Sequence, residues 1–237
     1  MRKSRFQVLH YDEAPVHAYW RCHNKEMYLK HDNIKNIYML TMKKTFEVAS
    51  TFKGKLDLNA YCIMDNHFHQ LIHYRDGAHN LSNYMRRCHG SFGLKYNKLN
   101  NRSGKVAESR PKTSLIENTE HTMRVHMYIE ANPIRAKKCT LLQLRYYKYC
   151  SYAFYAYGIE NEFTSLITVP AWYLELGDTP KQRQKKYREI FEKYLAESEV
   201  VKINLMANFI GSTRWVLNEI KVLKKKIKDR MDKKTPD

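Results

Sequence analysis

AYCIMDNHFHQLIHY, residues 60–74, alternates apolar and polar side chains in the way of a β-strand. Asp65 and Asn66 interrupt the alternation, so we predict a long strand that is broken or bulged at these two residues. Successive side chains on a strand point to opposite faces, which puts His67 and His69 on the same face. Two imidazoles so placed can bind one metal ion, and an exposed histidine pair on a sheet face has the same spacing. From this stretch alone, a metal site and a plain surface pair both stay open.

The segments on either side predict further strands and several helices. Residues 16–22 (VHAYWRC) alternate and are rich in β-forming residues, which predicts a first strand. Helical spacing of apolar residues recurs over 32–50, 80–100 and 119–138, and we expect the last of these helices to be interrupted or restarted at Pro133. With a further strand expected between the helices, this order predicts an α+β fold in which helices pack on an antiparallel sheet.

The character of the chain changes after about residue 141. Residues 144–158 are dense in tyrosine, and 179–199 and 211–234 have the composition of charged helices. We therefore predict a core domain over residues 1–140 and a helical, basic C-terminal extension over residues 141–237.

Charge is the strongest compositional signal. The 237 residues carry a formal net charge of +18, while 43% of them are hydrophobic, enough to form a packed core. Such an excess of positive charge predicts a polyanionic partner, either a nucleic acid or an anionic membrane surface. The 18 Tyr, 9 Phe and 3 Trp favour nucleic acid, because aromatic rings stack on bases as well as filling a core.

Several classes of protein are not expected. The amino-terminal sequence has no apolar segment typical of a secretory signal, and no run of about 18 apolar residues predicts a transmembrane helix. The cysteines are odd in number, scattered and never in a C-x-x-C pair, which argues against a zinc ribbon and a disulfide framework. We therefore expect a protein of the reducing cytoplasm. The five cysteines are Cys22, Cys62, Cys88, Cys139 and Cys150.

The third predicted helix carries a polar stripe that complements the histidines. In VHMYIEANPIR, Tyr128 and Asn132 are four residues apart and so are neighbours on one helical face, with Arg124 and Arg135 close to it. If this helix packs against the histidine strand, the tyrosine hydroxyl and the asparagine carbonyl face the imidazoles. Two plainer readings stay open: Tyr128 as a half-buried packing residue, and Asn132 as the cap of a helix that begins at Pro133.

These motifs together resemble those of the REP-associated tyrosine transposases. That family belongs to the HUH endonuclease superfamily and is related to the single-tyrosine insertion-sequence transposases. The resemblance is carried by MDNHFHQL and YIEANPIRA, by VHAYWRCHN near the amino terminus, and by CSYAFYAYG, WYLELGDTPKQRQKKYR and FIGSTRWV in the C-terminal third. Two residues depart from it: Asp65 replaces a usual proline, and Phe68 a small or branched residue. The loop GKVAESRPKTS keeps only the basic residues of the family's aromatic-glycine-arginine cluster, which leaves the DNA sequence preference open.

The resemblance implies the nuclease fold of the HUH superfamily and a single-stranded DNA endonuclease and strand transferase that cuts near imperfect hairpins, the repetitive extragenic palindromes. It implies Tyr128 as the nucleophile, which attacks a backbone phosphorus to form a 5′-phosphotyrosine and free a 3′-hydroxyl. A catalytically inactive nucleic-acid-binding protein on the same fold is the alternative.

A divalent metal is implied as the cofactor, held by His67, His69 and Asn132. Mixed nitrogen and oxygen ligands suit Mn²⁺, and Mg²⁺ can serve through its abundance. We expect single-stranded DNA with hairpins as the partner, and neither a membrane nor a small-molecule cofactor. The resemblance also favours a monomer, with a dimer left open, and a location at the bacterial nucleoid.

Basic residues on the predicted helices and the middle loop are candidates for DNA binding. Each one alone is as readily an ordinary solvated charge, but together they predict strongly salt-dependent binding. The candidates are Arg86, Arg87, Arg102, Lys105, Arg110, Lys112, Arg135, Lys224 and Lys225.

Overall fold

A computed structural model describes residues 5–47, 54–198 and 208–232, and its strands form one five-stranded sheet. The strands are β1 (Ala14–Arg21), β2 (Leu56–Ile63), β3 (His67–Tyr74), β4 (Lys112–Ile116) and β5 (Phe209–Ile210). Their order across the sheet is β2-β3-β1-β4-β5. The first four pair antiparallel, and β5 runs parallel to β4. The predicted α+β class is confirmed, and the sheet is mixed because a short strand from the C-terminal segment joins its edge.

Helices cover both faces of this sheet. They are α1 (Arg5–Val8), α2 (Asp32–Glu47), α3 (Ala78–Leu99), α4 (Thr119–Arg135), α5 (Leu141–Leu144), α6 (Tyr152–Tyr157), α7 (Ala171–Leu174), α8 (Pro180–Ser198) and α9 (Thr213–Asp232). On one face, Val16 and Trp20 are buried in a cluster with side chains of α2 and α3. On the other face, Ala60 and Leu71 are buried in a cluster with side chains of α4, α6 and α8. Among the described residues, no helix is both long and apolar enough to cross a membrane.

The chain reverses direction at the interruption in residues 60–74. The backbone N–H of Met64 donates to the carbonyl of His67 at 2.8 Å and closes a turn over Asp65 and Asn66. Asp and Asn favour such turns because their short side chains hydrogen-bond to the local backbone. The prediction of one long broken strand is therefore wrong. β2 and β3 are the two arms of an antiparallel hairpin.

The chain after residue 140 packs onto the same sheet. The backbones of Cys150 and Cys62 pair in an isolated antiparallel β-bridge, and both thiols are free. The hydroxyl of Tyr155 donates to the carbonyl of Asn59 at 2.5 Å. These contacts hold the tyrosine-rich segment against β2. The domain boundary near residue 140 stays a prediction.

Asp65, in the hairpin turn, forms the centre of an ion-pair cluster. Its carboxylate accepts from Nζ of Lys35 at 2.9 Å and also pairs with Lys138. The Lys35 side chain is only 4% exposed, and its ammonium also donates to the carbonyl of Lys30. Burial by itself would raise the pKa of Asp65, but hydrogen bonds from Lys138 and Lys35 outweigh it, and the pKa lies below its ordinary value. The cluster ties the hairpin turn to α2 and to the residues that follow α4.

Replacing Asp65 by Ala is expected to lower the free energy of unfolding by about 3 kcal/mol at pH 7, because the buried Lys35 ammonium loses its anion. Adding Lys35→Met should recover part of that loss. Urea denaturation of the two variants measures both effects.

The pKa of Asp65 is lower in the folded than in the unfolded chain. Its stabilisation is therefore lost as the pH falls, and the gap between wild type and Asp65→Ala should narrow below about pH 4.

Glu197→Ala is the matched control, since Glu197 forms an exposed ion pair with Lys193 at 3.8 Å within α8. Its removal should change the free energy of unfolding by less than about 0.5 kcal/mol. Equal effects of Asp65→Ala and Glu197→Ala would contradict the proposed role of the cluster.

Candidate active site

One face of the central strand pair is polar, in contrast to the apolar face beneath α2 and α3. In the antiparallel register, Tyr19 is opposite His69 and Arg21 is opposite His67. Paired residues in a sheet point to the same side, and side chains two apart on a strand share that side. His17, Tyr19 and Arg21 of β1 therefore line the same surface as the two histidines of β3, and α4 packs over it.

Helix α4 brings Tyr128 to this polar face. The Tyr128 ring lies edge-on to His69 with the ring centroids 5.6 Å apart, and edge-on to His17 at 6.2 Å. The guanidinium of Arg135, two turns further along the same face of the helix, is 5.1 Å from the centroid of the Tyr128 ring. Tyr128 is half-buried. The predicted meeting of the tyrosine with the histidine strand is therefore present in the structure.

Burial and the neighbouring arginines act in opposite directions on the Tyr128 hydroxyl. Burial raises the pKa of Tyr128, Arg135 lowers it, Cys62 raises it and Arg21 lowers it, and the balance lies above the ordinary value. The phenol is therefore protonated at neutral pH. A reaction that uses it as a nucleophile must remove that proton, and the two guanidinium groups favour the resulting phenolate.

The histidines are neutral at physiological pH. Burial lowers the pKa of His67 to about 4, with Arg21 adding to the effect, and burial followed by the charges of His17, His67 and Arg21 lowers the pKa of His69 well below its usual range. His67 donates from Nδ1 to Oδ1 of Asn66 at 2.7 Å, which leaves the lone pair of Nε2 free. Neutral imidazoles with a free ring nitrogen are metal ligands.

His17 is a partner of His69 that sequence reasoning missed. Nε2 of His17 and Nδ1 of His69 share a hydrogen bond of 2.8 Å, and both side chains are buried. The bond orients the His69 ring and leaves its other nitrogen on the side of the polar face. The alternation of residues 16–22 was visible in the sequence, but the register with β3 was not.

Asn132 holds α4 together at Pro133. The helix is continuous from Thr119 to Arg135, so the predicted interruption or restart at Pro133 is wrong. A proline has no N–H for the carbonyl of Ile129, and the Asn132 side-chain amide donates to that carbonyl at 3.2 Å and to the carbonyl of Tyr128 at 2.9 Å. The Asn132 side chain also lies beside that of His67.

The residues present fit a divalent metal with mixed ligands. His67 and His69 offer imidazole nitrogens, and Asn132 offers an amide oxygen beside His67. Within residues 5–47, 54–198 and 208–232, no group of three or more His, Cys, Asp or Glu side chains is placed to hold a metal. A metal site made of the two imidazoles and the Asn132 amide stays a prediction.

The predicted DNA-binding residues divide between the two sides of the sheet. Arg135 lies over Tyr128, and Lys112 lies 5.7 Å from the ring of Tyr19 on the polar face. Arg102 stacks on Tyr28 and Tyr96 at the end of α3. The remaining candidates are exposed: Arg86 and Arg87 on α3, Lys105 and Arg110 in the loop before β4, and Lys224 and Lys225 on α9. Their contact with DNA stays a prediction.

A buried carboxyl group fastens α4 to the C-terminal segment. Glu130 is fully buried, and its oxygens accept from the hydroxyl of Ser151 at 2.6 Å and from the hydroxyl of Tyr187 at 2.5 Å. Nε2 of His126, one turn earlier, lies 3.2 Å from the same carboxyl group. Tyr128 lies two residues before Glu130, on the opposite side of the helix, because two residues span about 200°. The network therefore turns Tyr128 toward the sheet.

Replacing Asn132 by Ala is expected to lower the free energy of unfolding by about 1 kcal/mol, because the Ile129 carbonyl loses its donor. In a Pro133→Ala background, residue 133 has a backbone N–H that can donate to the Ile129 carbonyl. Asn132→Ala should then lower the free energy of unfolding by less than it does in wild type. Urea denaturation in EDTA measures both without any contribution from a metal. Equal losses in the two backgrounds would contradict the compensation.

Tyr187→Phe should lower the free energy of unfolding by about 2 kcal/mol, because the buried Glu130 carboxyl group loses a hydrogen bond. In the same variant, the rate of amide hydrogen exchange in the peptide covering residues 125–135 should rise. Tyr146→Phe is the control, since Tyr146 is 74% exposed and its hydroxyl has no part in the network. If both variants exchange like wild type, the network does not fasten α4.

Comparison with known proteins finds a similarity among solved structures. No protein-family model matches the chain, and no curated protein sequence matches it significantly. Among solved structures, the chain is similar to that of a REP-associated tyrosine transposase bound to a REP hairpin, with 14% sequence identity and a TM-score of 0.49. The match covers 62% of this chain and 82% of the other.

Proposed function

We propose that the protein is a single-stranded DNA endonuclease and strand transferase that uses Tyr128 as its nucleophile. The observation that carries the proposal is the position of the Tyr128 ring, 5.6 Å from His69 on a polar sheet face that also carries His67. A phenol beside two neutral imidazoles is the set of groups that attack by a tyrosine on a metal-bound phosphate requires. The net charge of +18 supports a polyanionic substrate.

The reaction proposed is a transesterification at a DNA phosphodiester. The Tyr128 oxygen attacks phosphorus and loses its proton to water, the bond from phosphorus to the 3′-oxygen breaks, and a 5′-phosphotyrosine and a free 3′-hydroxyl result. Attack by a 3′-hydroxyl on the phosphotyrosine restores a phosphodiester and the phenol. The number of phosphoester bonds is unchanged in each step, so rejoining needs no external energy source.

The proposed roles of the side chains follow from their contacts. Arg135 stabilises the phenolate from the face of the ring, and His17 holds the ring of His69 in place. His67, His69 and Asn132 are the residues that would bind a divalent ion. Such an ion, when bound, supplies a Lewis acid that polarises the phosphate and neutralises developing charge.

The proposal is tested with a labelled single-stranded hairpin, Mn²⁺ and denaturing gels. Wild type should form a covalent protein–DNA adduct, whereas Tyr128→Phe should form none because the nucleophilic oxygen is missing. Tyr146→Phe should react like wild type. His67→Ala and the addition of EDTA should both abolish the adduct while leaving hairpin binding in gel shifts largely unchanged.

Two results would change the conclusion. If wild type forms no adduct with a panel of hairpins but still binds them, the chain is a nucleic-acid-binding protein that does not cut. If Tyr128→Phe still cleaves, the nucleophile is another group.

Mixing two inactive variants tests whether one chain holds a complete site. A mixture of Tyr128→Phe and His67→Ala should stay inactive if it does, and would recover activity if two chains share their sites.

A further inference from the structure

Arg21 is a cation at the edge of the polar face, and none of the described carboxylates pairs with it. It is the last residue of β1, lies opposite His67 in the register, and is half-exposed. In the part of the chain that the structure describes, no carboxylate lies within ion-pair distance of its guanidinium. The acidic residue of the neighbouring turn, Asp65, is already paired with Lys35 and Lys138.

The backbone around Arg21 is held on both sides. The carbonyl of Arg21 accepts from the N–H of Glu108 at 3.0 Å, and the N–H of Cys22 donates to the carbonyl of Asn66 at 2.8 Å. The strand end is therefore fixed to the hairpin turn and to the loop before β4. A guanidinium on a fixed backbone is suited to bind a ligand in one defined position.

Arg21 and the proposed nucleophile border the same small region. The rings of His67 and His69 lie 5.0 Å apart, and the Tyr128 ring lies 5.6 Å from that of His69. Arg21 is opposite His67 in the register and shares its face of the sheet, so its guanidinium lies at the edge of this cluster.

Arg135 does not serve the same purpose. Its guanidinium lies over the Tyr128 ring and interacts with Tyr194 of α8, so part of it faces protein groups. Lys112 is nearer the outside of the face, beside Tyr19. Within residues 5–47, 54–198 and 208–232, Arg21 is thus the guanidinium beside the histidines that makes no side-chain hydrogen bond or ion pair with the protein.

We propose that Arg21 binds the non-bridging oxygens of the phosphate that Tyr128 attacks. The inference rests on the proposed function and adds to it a catalytic residue. A guanidinium matches a phosphate with two parallel N–H···O bonds, and it holds the charge that develops on these oxygens as the new bond forms. Sequence reasoning passed over Arg21 because its place opposite His67 depends on strand pairing.

The first test compares adduct formation by Arg21→Ala, Arg21→Lys and wild type under single-turnover conditions. Arg21→Ala should slow the reaction by about 100-fold, the effect of losing one strong donor to a developing oxyanion. Arg21→Lys should recover only part of the rate, because a lysine cannot donate in parallel pairs. Arg214→Ala, at an exposed arginine on α9, should react like wild type.

The second test removes the charge from the substrate. With a methylphosphonate at the scissile position, one charged oxygen becomes a neutral methyl group. The ratio of the wild-type rate to the Arg21→Ala rate should therefore shrink at least tenfold.

The third test measures Mn²⁺ binding by electron paramagnetic resonance without DNA. Arg21→Ala should bind Mn²⁺ as tightly as wild type or more tightly, because a repelling cation is gone, whereas a distorted site would bind it less well.

The outcomes separate this inference from the function on which it rests. If wild type forms the adduct and Arg21→Ala is equally fast, or is equally impaired on charged and neutral linkages, the role of Arg21 is overturned. If wild type forms no adduct, the phosphate contact of Arg21 is tested by DNA binding alone. The affinity for a labelled 15-nucleotide thymidine strand is then measured by fluorescence anisotropy. Weaker binding and a smaller salt slope for Arg21→Ala than for Arg214→Ala support a phosphate contact. Equal binding of the two variants excludes it.

Discussion

The register between β1 and β3 is the constraint on which the site depends. It sets Arg21 opposite His67 and Tyr19 opposite His69. A shift by one residue would turn His17, Tyr19 and Arg21 to the other face and expose their apolar neighbours to α4. Trp20 and Phe68 are buried on the opposite face, in the cluster with α2 and α3. The packing of one face of the sheet therefore specifies the chemistry of the other.

A second requirement is that α4 lies at one rotation over the polar face. Two polar contacts supply it: Glu130 with Tyr187, and Glu130 with Ser151. Buried polar groups cost free energy unless they are paired, so each contact disfavours other rotations of the helix. The C-terminal segment contributes the partners of Glu130. It thus helps to position Tyr128 although none of its residues is proposed to touch the reacting atoms.

Local patterns predicted the parts of the fold that depend on local chemistry. The alternation of residues 16–22 and 60–74 predicted strands, and the spacing of Tyr128 and Asn132 predicted their common face. Pro133 was misread because the rule that proline ends a helix ignores a side chain that can replace the missing donor. The turn at Asp65 was read as a break because alternating residues on both sides of it fit one long strand as well as the two arms of a hairpin.

The contacts that sequence reasoning missed depend on pairing across the sheet. His17 and Arg21 read as ordinary residues of an alternating strand, and their partners lie about 50 positions away along the chain. β5 has only two residues, too short for a periodic signal. The charge excess predicted a polyanionic partner but gave no means to separate arginines beside the nucleophile from those on α3.

The most direct measurement of the central claim is the chemical location of DNA on the protein. Wild type is incubated with a single-stranded hairpin and Mn²⁺, trimmed with nuclease, digested with trypsin and analysed by mass spectrometry. The account predicts a nucleotide on the peptide of residues 125–135, in which Tyr128 is the only one of the 18 tyrosines. A nucleotide on any other tyrosine, or an unmodified 125–135 peptide from a reaction that has cut the DNA, would contradict it.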